Sequence, residues 1–132
     1  MNILKGKIAT IKTKGSLSLV KINVNDIFLN TIIIETPKTA SYLKKGNPIN
    51  VVFKETEVII GKGISHNLSL QNKVFGTILE IEKGDFLSKI TIDAKVGKIV
   101  AIITSEAVEE LQLSLNEKVT AMMQTTEIML SE

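Results

Sequence analysis

The sequence repeats itself at an offset of 70 residues, and this repeat constrains the fold more than any other feature. LKGKIATIKT (residues 4–13) matches VFGTILEIEK (residues 74–83), with the glycine aligned. VVFKETEVII (residues 51–60) matches AMMQTTEIML (residues 121–130) in the same register. Two separated blocks with one offset indicate duplication, so the chain is predicted to fold as two copies of one small module.

The duplication divides the chain into a first repeat (residues 1–62), a linker (residues 63–68) and a second repeat (residues 69–132). The linker contains glycine and polar residues, which are typical of a loop. Modules of this size bury too little of their surface to be stable alone. We therefore expect extensive contact between the repeats, or oligomerisation.

Each repeat is predicted to form five β-strands, because apolar and polar residues alternate in segments such as KIATIK and SKITID. Gly15 and Gly84 mark the first hairpin of each repeat. The third strands are apolar on both faces, which predicts burial on both sides and an interface there. The strands are predicted near residues 4–13, 17–24, 27–34, 49–54 and 57–60, and near 74–82, 86–93, 98–103, 118–124 and 127–130.

A short helix is predicted between the third and fourth strands of each repeat. In the first repeat Thr36 is a cap residue followed by Pro37 at the first helical position, and the segment ends near Leu43. In the second repeat Ser105 is the predicted cap, and Glu106 suits the positive end of the helix dipole. This order predicts an all-β fold with short helices, built as two tandem OB-like five-stranded β-barrel modules.

The composition argues against several classes of protein. With no cysteine, neither a disulfide framework nor a thiolate metal site is possible, and a reducing cytoplasm is expected. One histidine and no catalytic motif predict that the chain is not an enzyme. The 16 basic residues are all lysines and the net charge is only +2, which does not predict a nucleic-acid partner. Without a leader pattern or a membrane-length apolar run, we expect neither export nor membrane contact.

The repeats resemble the Mop modules, also called TOBE modules, of the molbindins, which are oxyanion-binding proteins of bacterial molybdate handling. Those modules open with a Ser-Ala-Arg-Asn segment and a glycine four residues after the asparagine. The segment SLQN (residues 69–72) followed by Gly76 has this spacing. The family modules close with a lysine, a small residue and a hydrophobic strand. Lys54 matches that lysine in the first repeat, and Gln124 replaces it in the second.

The resemblance implies a cytoplasmic, non-enzymatic protein that binds molybdate or tungstate at interfaces between modules or subunits, for molybdenum storage, buffering or homeostasis. It implies a homo-oligomer, a trimer in preference to a dimer, with no metal cation, organic cofactor, nucleic acid or membrane as partner. A tetrahedral dianion only accepts hydrogen bonds, so hydroxyls, amides and a lysine suit it. The residues that the resemblance places at the oxyanion site are Lys54, Ser69, Gln71, Asn72, Thr104, Ser105, Gln124 and Thr125.

Several positions depart from the family pattern. Gln71 stands where arginine is usual, Glu55 occupies a small-residue position, Glu35 falls at a threonine position, and Ala107 replaces a serine. Because a glutamate repels a dianion, a second hypothesis stays open: a regulatory or oligomerisation pair with decayed sites, related to a molybdate transporter ATPase or a molybdate-responsive regulator. An OB-type nucleic-acid binder is a third, but it needs exposed aromatics in a basic groove, and the phenylalanines are predicted to be mostly core residues.

Some of the candidate site residues also have a purely structural interpretation. Ser69 and Asn72 are common turn formers, and Thr104 and Ser105 are common helix caps. His66, the only histidine, falls in the linker and is predicted to be solvated.

Overall fold

The computed structural model describes residues 1–63 and 66–132, so part of the predicted linker lies outside the described residues. The first repeat contributes the strands β1 (Asn2–Lys14), β2 (Leu17–Val24), β3 (Ile27–Ile33), β4 (Pro48–Phe53) and β5 (Ile59–Lys62). The second repeat contributes β6 (Asn72–Lys83), β7 (Leu87–Ala94), β8 (Gly97–Thr104), β9 (Lys118–Met123) and β10 (Met129–Ser131). The helix α1 (Ser105–Leu111) follows β8, and the 3-10 turns η1 (Glu55–Glu57) and η2 (Thr125–Glu127) follow β4 and β9.

The strands form two five-stranded antiparallel sheets, and each sheet takes strands from both repeats. The order is β10-β4-β1-β2-β3 in the first sheet and β5-β9-β6-β7-β8 in the second. Ile59 of β5 lies opposite Met122 of β9, and Met129 of β10 lies opposite Val52 of β4. The repeats thus exchange their last strands, and neither sheet is complete without the other repeat.

Alternating side chains of the strands supply the core. Val20, Ile22 and Val24 of β2 are buried between more exposed neighbours, as are Ile90 and Ile92 of β7. The buried apolar residues of both repeats, except Met122, belong to one connected cluster. The predicted all-β fold with two five-stranded units is therefore confirmed, and the exchange of strands is an addition that the sequence pattern did not indicate.

The aligned glycines lie where β1 and β6 come close to the next strand. A Cβ on Gly6 would lie 2.7 Å from the carbonyl oxygen of Asn23, and a Cβ on Gly76 would lie 2.8 Å from that of Asp93. Any larger residue would force the two strands apart. The close approach explains why the duplication retains glycine at both positions.

The helix predicted for the first repeat is wrong, because the described residues contain only the α-helix of the second repeat. The Ala40 N–H donates to the Thr36 carbonyl at 2.8 Å, but the Leu43 N–H donates only to the Ala40 carbonyl at 3.2 Å. The Thr39 hydroxyl accepts from the Thr36 N–H at 2.8 Å. Hydroxyl side chains that compete for backbone groups favour turns over a continued helix. The segment therefore forms successive turns.

The prediction that the phenylalanines are mostly core residues is also wrong. Phe53 is fully buried, whereas Phe28, Phe75 and Phe86 are exposed. Phe28 and Phe75 occupy the outward positions of strands whose adjacent residues point inward. Alternation identifies two faces of a strand, and an aromatic residue does not by itself show which face is buried.

The third strand of the first repeat is not buried on both sides within one chain. Thr31 is fully buried, while Ile32 and Ile34 are exposed. β3 lies at the edge of the first sheet, and its side chains Phe28 and Ile32 are exposed. No helix of the described residues has the length and apolar character needed to cross a membrane.

Candidate functional site

Four of the eight residues predicted for the oxyanion site line one cavity. Asn72 of β6 lies opposite Met123 of β9, so the chain entering β6 runs beside the chain leaving β9. Together these segments enclose a cavity of about 180 Å³, lined by Ser69, Leu70, Gln71, Gln124 and Thr125. Pockets for drug-sized ligands begin at roughly 300 Å³, so this cavity suits a small ion rather than an organic cofactor.

The side chains around the cavity are polar and uncharged. Ser69 and Thr125 offer hydroxyls that can donate or accept, and Gln71 and Gln124 offer amide NH₂ groups that donate. Ser69, Gln71 and Gln124 are exposed, and Thr125 is half-buried. The arrangement can therefore supply several hydrogen-bond donors to a small anion, although the lining itself brings no positive charge.

The end of β9 determines where Gln124 lies. Its backbone is extended, with φ −75° and ψ 146°, and its carbonyl accepts from the Glu127 N–H at 3.1 Å to begin η2. Lys54 has the same dihedral angles at the start of η1, and its carbonyl accepts from the Glu57 N–H at 3.0 Å. Lys54 and Gln124 are thus equivalent positions in backbone geometry as well as in sequence.

The cavity lies at a junction between the two sheets. The Asn72 Oδ1 accepts from the Asn30 N–H at 2.7 Å, and its Nδ2 donates to the Asn30 carbonyl at 2.8 Å. The Thr31 hydroxyl lies 2.6 Å from the Ile128 carbonyl and 3.1 Å from the Thr125 carbonyl. Asn72 and Thr31 are fully buried. Hydrogen bonds therefore hold both chain segments that line the cavity against β3. Both polar atoms of the Asn72 side-chain amide are used in these bonds.

A second junction, related to the first by the duplication, repeats this pair of hydrogen bonds. The Asn2 Nδ2 donates to the Val100 carbonyl at 2.8 Å, and its Oδ1 accepts from the Val100 N–H at 2.8 Å. Asn2 aligns with Asn72, and Asn30 aligns with Val100, at the same offset of 70 residues. The two halves of the molecule therefore face each other with approximate two-fold symmetry.

The second junction differs from the first in charge. Lys54 is exposed there, and the neighbouring Glu55 takes the position that Thr125 has at the cavity. The Glu55 carboxylate accepts a hydrogen bond from the amino group of Met1 at 2.8 Å, and this bond lowers the pKa of Glu55. Lys54 is thus absent from the cavity lining of its own chain, and the carboxylate of the residue next to it in sequence is paired with the amino group of Met1.

Thr104 and Ser105 lie away from the cavity lining and have structural contacts. The Thr104 hydroxyl accepts from the Ala107 N–H at 3.1 Å, so Thr104 rather than the predicted Ser105 caps α1. Ser105 is buried, and its Oγ donates to the Gly84 carbonyl at 2.6 Å and lies 2.8 Å from the Ser88 Oγ. Ser105 therefore fastens the start of α1 to the hairpin between β6 and β7.

The prediction that His66 is solvated is wrong. A Cβ on Gly61 would lie 2.6 Å from the His66 Cε1, so the ring packs directly on the β5 backbone. Its Nε2 is buried without a hydrogen-bond partner in the described part of the chain. The Lys73 ammonium donates to the His66 carbonyl at 2.8 Å. These contacts hold the chain that leads to Ser69 against the second sheet.

Sequence reasoning missed the residues that support the cavity from the other repeat. Asn30 and Thr31 interrupt the otherwise apolar segment IFLNTIII of the third strand. Polar groups within such a strand need partners, and that need was the available signal. This signal applies to the Thr31 hydroxyl, whose partners are the Thr125 and Ile128 carbonyls. Asn30 bonds Asn72 only through its backbone, so its side chain gives no signal.

Comparison with known proteins finds that the chain is similar to proteins that bind molybdate or a molybdenum pterin. The structure of the cytoplasmic molybdate-binding protein ModG, solved with molybdate bound, superposes with a TM-score of 0.90 at 25% identity, covering 98% of this chain and 94% of that one. MopB of Rhodobacter capsulatus, a molybdenum-pterin-binding protein, is 28% identical over 105 residues, which cover 78% of this chain and 39% of MopB. This chain therefore spans well under half the length of that curated relative. A molybdate-binding protein from Sporomusa ovata is 37% identical, covering 51% of this chain and 100% of that one, with a TM-score of 0.49.

Two strand-exchanged five-stranded units with a small polar cavity at their junction define a tandem β-barrel of the OB type. The family model of the TOBE domain matches residues 68–130. The second repeat is thus a TOBE domain, the whole chain has the fold of ModG, and the resemblance to the Mop/TOBE modules seen in the sequence is confirmed.

Proposed function

We propose that this protein binds molybdate or tungstate in the cytoplasm, as a binding protein and not an enzyme, for molybdenum storage, buffering or homeostasis. The observation that carries the proposal is the junction cavity, where Ser69, Gln71, Gln124 and Thr125 meet. The likeness to ModG, a cytoplasmic molybdate-binding protein, over 98% of the chain supports it. The division into modules at 1–62 and 69–132, joined by a linker at 63–68, is part of the same proposal.

The donor set of the cavity suits a tetrahedral oxyanion. Such an ion offers oxygen acceptors in four directions and has no proton to donate, so hydroxyl and amide NH₂ groups can surround it. Asn72 acts indirectly, because its own amide is engaged with Asn30 and holds the Ser69–Gln71 segment in place. A lining that donates without fixed cations favours size and shape as the basis of selection, so sulfate is expected to compete poorly.

A dianion in an uncharged cavity also needs a nearby cation. Lys54 is exposed and occupies the equivalent position at the other junction of the same chain. We propose that Lys54 of a neighbouring copy completes the site, facing the Ser69–Asn72 segment or Thr104 of this chain. We therefore infer a homo-oligomer, because one chain does not bring these groups together, and the resemblance to the molbindins favours a trimer over a dimer.

Calorimetry on the assembled protein tests the proposal. Titration with molybdate and with tungstate should give micromolar or tighter binding, and sulfate should give little heat. Lys54→Ala should weaken binding by about tenfold or more, which is the loss of one charge-assisted contact. Lys44→Ala, at an exposed lysine in the turns before β4, is the matched control and should bind as the parent does. No heat with either oxyanion would exclude the proposal.

The decayed regulatory pair is a second candidate, and Glu55 is the observation that favours it. A carboxylate beside Lys54 opposes an anion at the second junction. The stoichiometry of the same titration separates the two hypotheses. One oxyanion per chain indicates a working cavity with an unused second junction, whereas none indicates that the pair serves regulation or oligomerisation.

A further inference from the structure

The hairpin between β1 and β2 ends in a surface that is both apolar and basic. We call this surface the basic tip and define it by Lys12, Lys14, Leu17, Ile32 and Ile34. Ile34 is 78% exposed, and Leu17 and Ile32 are exposed as well. A groove of about 240 Å³ runs between the hairpin and β3, bounded by both lysines. Apolar side chains beside an unpaired sheet edge favour contact with another surface.

The equivalent hairpin of the second repeat ends in a surface that is apolar and acidic. We call it the acidic tip and define it by Glu80, Glu82, Asp85, Phe86 and Leu87. Phe86 is 86% exposed, and Leu87 is exposed as well. A groove of about 420 Å³ is lined by Glu82 and Leu87 and also by Lys83 and Lys89. The two tips thus share their apolar character and differ in the sign of their charge.

Lysines near the acidic tip are already matched by carboxylates. The Lys83 ammonium forms a salt bridge with Glu109 of α1, and the Lys89 ammonium lies 3.9 Å from Glu82. The pairing with Lys83 also lowers the pKa of Glu109. Glu80 and Asp85 therefore add to a surface that is negative as a whole.

The charge difference extends over the whole of each repeat. Residues 1–62 contain ten lysines and four acidic residues, whereas residues 69–132 contain six lysines and ten acidic residues. The net charge of +2 for the chain conceals this separation. Opposite surfaces of this kind attract each other when they belong to different copies.

The two tips of one chain lie at opposite ends of the molecule. β3 starts at the turn where Asn25 donates to the Lys95 carbonyl, and it runs past Asn30, which is bonded to Asn72, towards the basic tip. Asn72 begins β6, and the acidic tip follows Lys83 at the other end of that strand. Moving along β3 towards the basic tip therefore leads away from the acidic tip, and the two cannot meet within one chain.

We propose that the basic tip of one copy docks against the acidic tip of the next, so that the partner of each tip is a second copy of this chain. Lys12 and Lys14 then face Glu82 and Asp85 while the apolar side chains leave water. Contact between two basic tips would bring lysines together and is disfavoured. Because the two surfaces differ, the contact is head-to-tail, and the rotation between successive copies decides whether it closes into a ring or continues as a filament. This inference rests on the oligomer of the proposed function but needs no bound oxyanion.

Charge reversal tests the contact on the full chain in oxyanion-free buffer. Sedimentation velocity over a dilution series should show that Lys12→Glu with Lys14→Glu raises the dissociation constant of the oligomer by about tenfold or more, as expected for opposed like charges. Glu82→Lys with Asp85→Lys should do the same. The variant with all four changes should recover the parent value to within about threefold, because each copy then offers both reversed surfaces.

A matched control is Lys5→Glu with Lys7→Glu, two exposed lysines of the same strand far from the hairpin end. This control should leave assembly unchanged, and circular dichroism should confirm that every variant is folded. Reversals without effect, a fourfold variant that stays dissociated, a control that dissociates equally, or a monomeric parent would each overturn the proposal. If the tips behave as expected but calorimetry shows no oxyanion heat, only the proposed function fails.

Discussion

The side chain of Asn72 forms two hydrogen bonds with the backbone of Asn30, one to its N–H at 2.7 Å and one to its carbonyl at 2.8 Å. The Asn72 amide thus pairs with the backbone of the edge strand β3 as a neighbouring strand would, at the junction between the two sheets. Asn2 does the same for Val100 at the second junction. The duplication has therefore preserved the joint between the repeats, while the residues around each joint have diverged.

Removing the Asn72 side chain should destabilise the protein more than the loss of one small polar side chain usually does. Asn72→Ala leaves a backbone donor and acceptor of Asn30 without partners at a site where Asn72 itself has no exposure. We expect the free energy of unfolding, measured by urea denaturation, to fall by about 2 to 4 kcal/mol. Asn67→Ala, at an exposed asparagine, should stay within about 0.5 kcal/mol of the parent. Equal stability of the two variants would mean that Asn72 does not hold the junction.

Truncating the cavity donors should weaken oxyanion binding without affecting the fold. Ser69→Ala and Gln124→Ala each remove one donor from the cavity. Each should raise the dissociation constant for molybdate by about tenfold, equivalent to about 1.4 kcal/mol. Ser41→Ala, at an exposed serine outside the cavity, serves as the control in the same calorimetric series. Parent affinity in both cavity variants would place the ligand elsewhere.

Restoring the lysine that the second repeat has lost should tighten binding. Gln124 has the backbone geometry of Lys54, so Gln124→Lys is expected to place an ammonium at the cavity without rearranging β9. The added attraction should lower the dissociation constant for molybdate by about tenfold at low salt, and the gain should shrink as ionic strength rises. If the gain in molybdate affinity does not depend on ionic strength, or if Gln124→Lys binds more weakly than the parent, the cavity does not hold an anion.

Acidification should weaken the tie between the exchanged strand β5 and the second repeat. The Lys62 ammonium lies 3.1 Å from the Glu117 carboxylate. Burial raises the pKa of Glu117, but hydrogen bonds from Lys62 and from the Ser114 N–H outweigh it and hold the pKa below its ordinary value. A lowered native pKa stabilises the fold above the unfolded pKa of about 4.3, and that contribution is lost as the pH falls through the native value.

Glu117→Gln should therefore lower the free energy of unfolding at neutral pH by about 0.5 kcal/mol, the size typical of a largely solvated ion pair. The difference from the parent should vanish at a pH below the native pKa. Glu110→Gln, on the exposed side of α1, should match the parent at every pH. Thermal unfolding followed by circular dichroism between neutral and acid pH measures both variants. A Glu117→Gln penalty that persists in acid would contradict the assignment.

The strands could be predicted from the sequence because the duplication presents the same alternating pattern twice. Aligned positions such as Gly6 and Gly76 proved to have the same close contacts. The exchange of β5 and β10 could not be predicted, since an alternating segment pairs equally well with either copy of its partner strand. The turns after Thr36 were mistaken for a helix because a cap followed by proline describes how a helix begins, not whether it continues.

Part of the cavity lining could be predicted from the sequence, and its role in oxyanion binding stays a prediction. Ser69, Gln71, Gln124 and Thr125 come together because the ends of two paired strands lie side by side. Thr104 and Ser105 cap and fasten α1, as their structural interpretation allowed. The support from Asn30 and Thr31 depends on how one repeat meets the other, which local patterns do not contain.

The most direct test of the central claim is anomalous diffraction from crystals of the assembled protein soaked with molybdate. A molybdenum peak within hydrogen-bonding reach of Ser69, Gln71 and Gln124, with Lys54 of a neighbouring copy beside it, is the predicted result. A peak confined to other surfaces, or a fully assembled oligomer with no peak at the junction, would contradict the account.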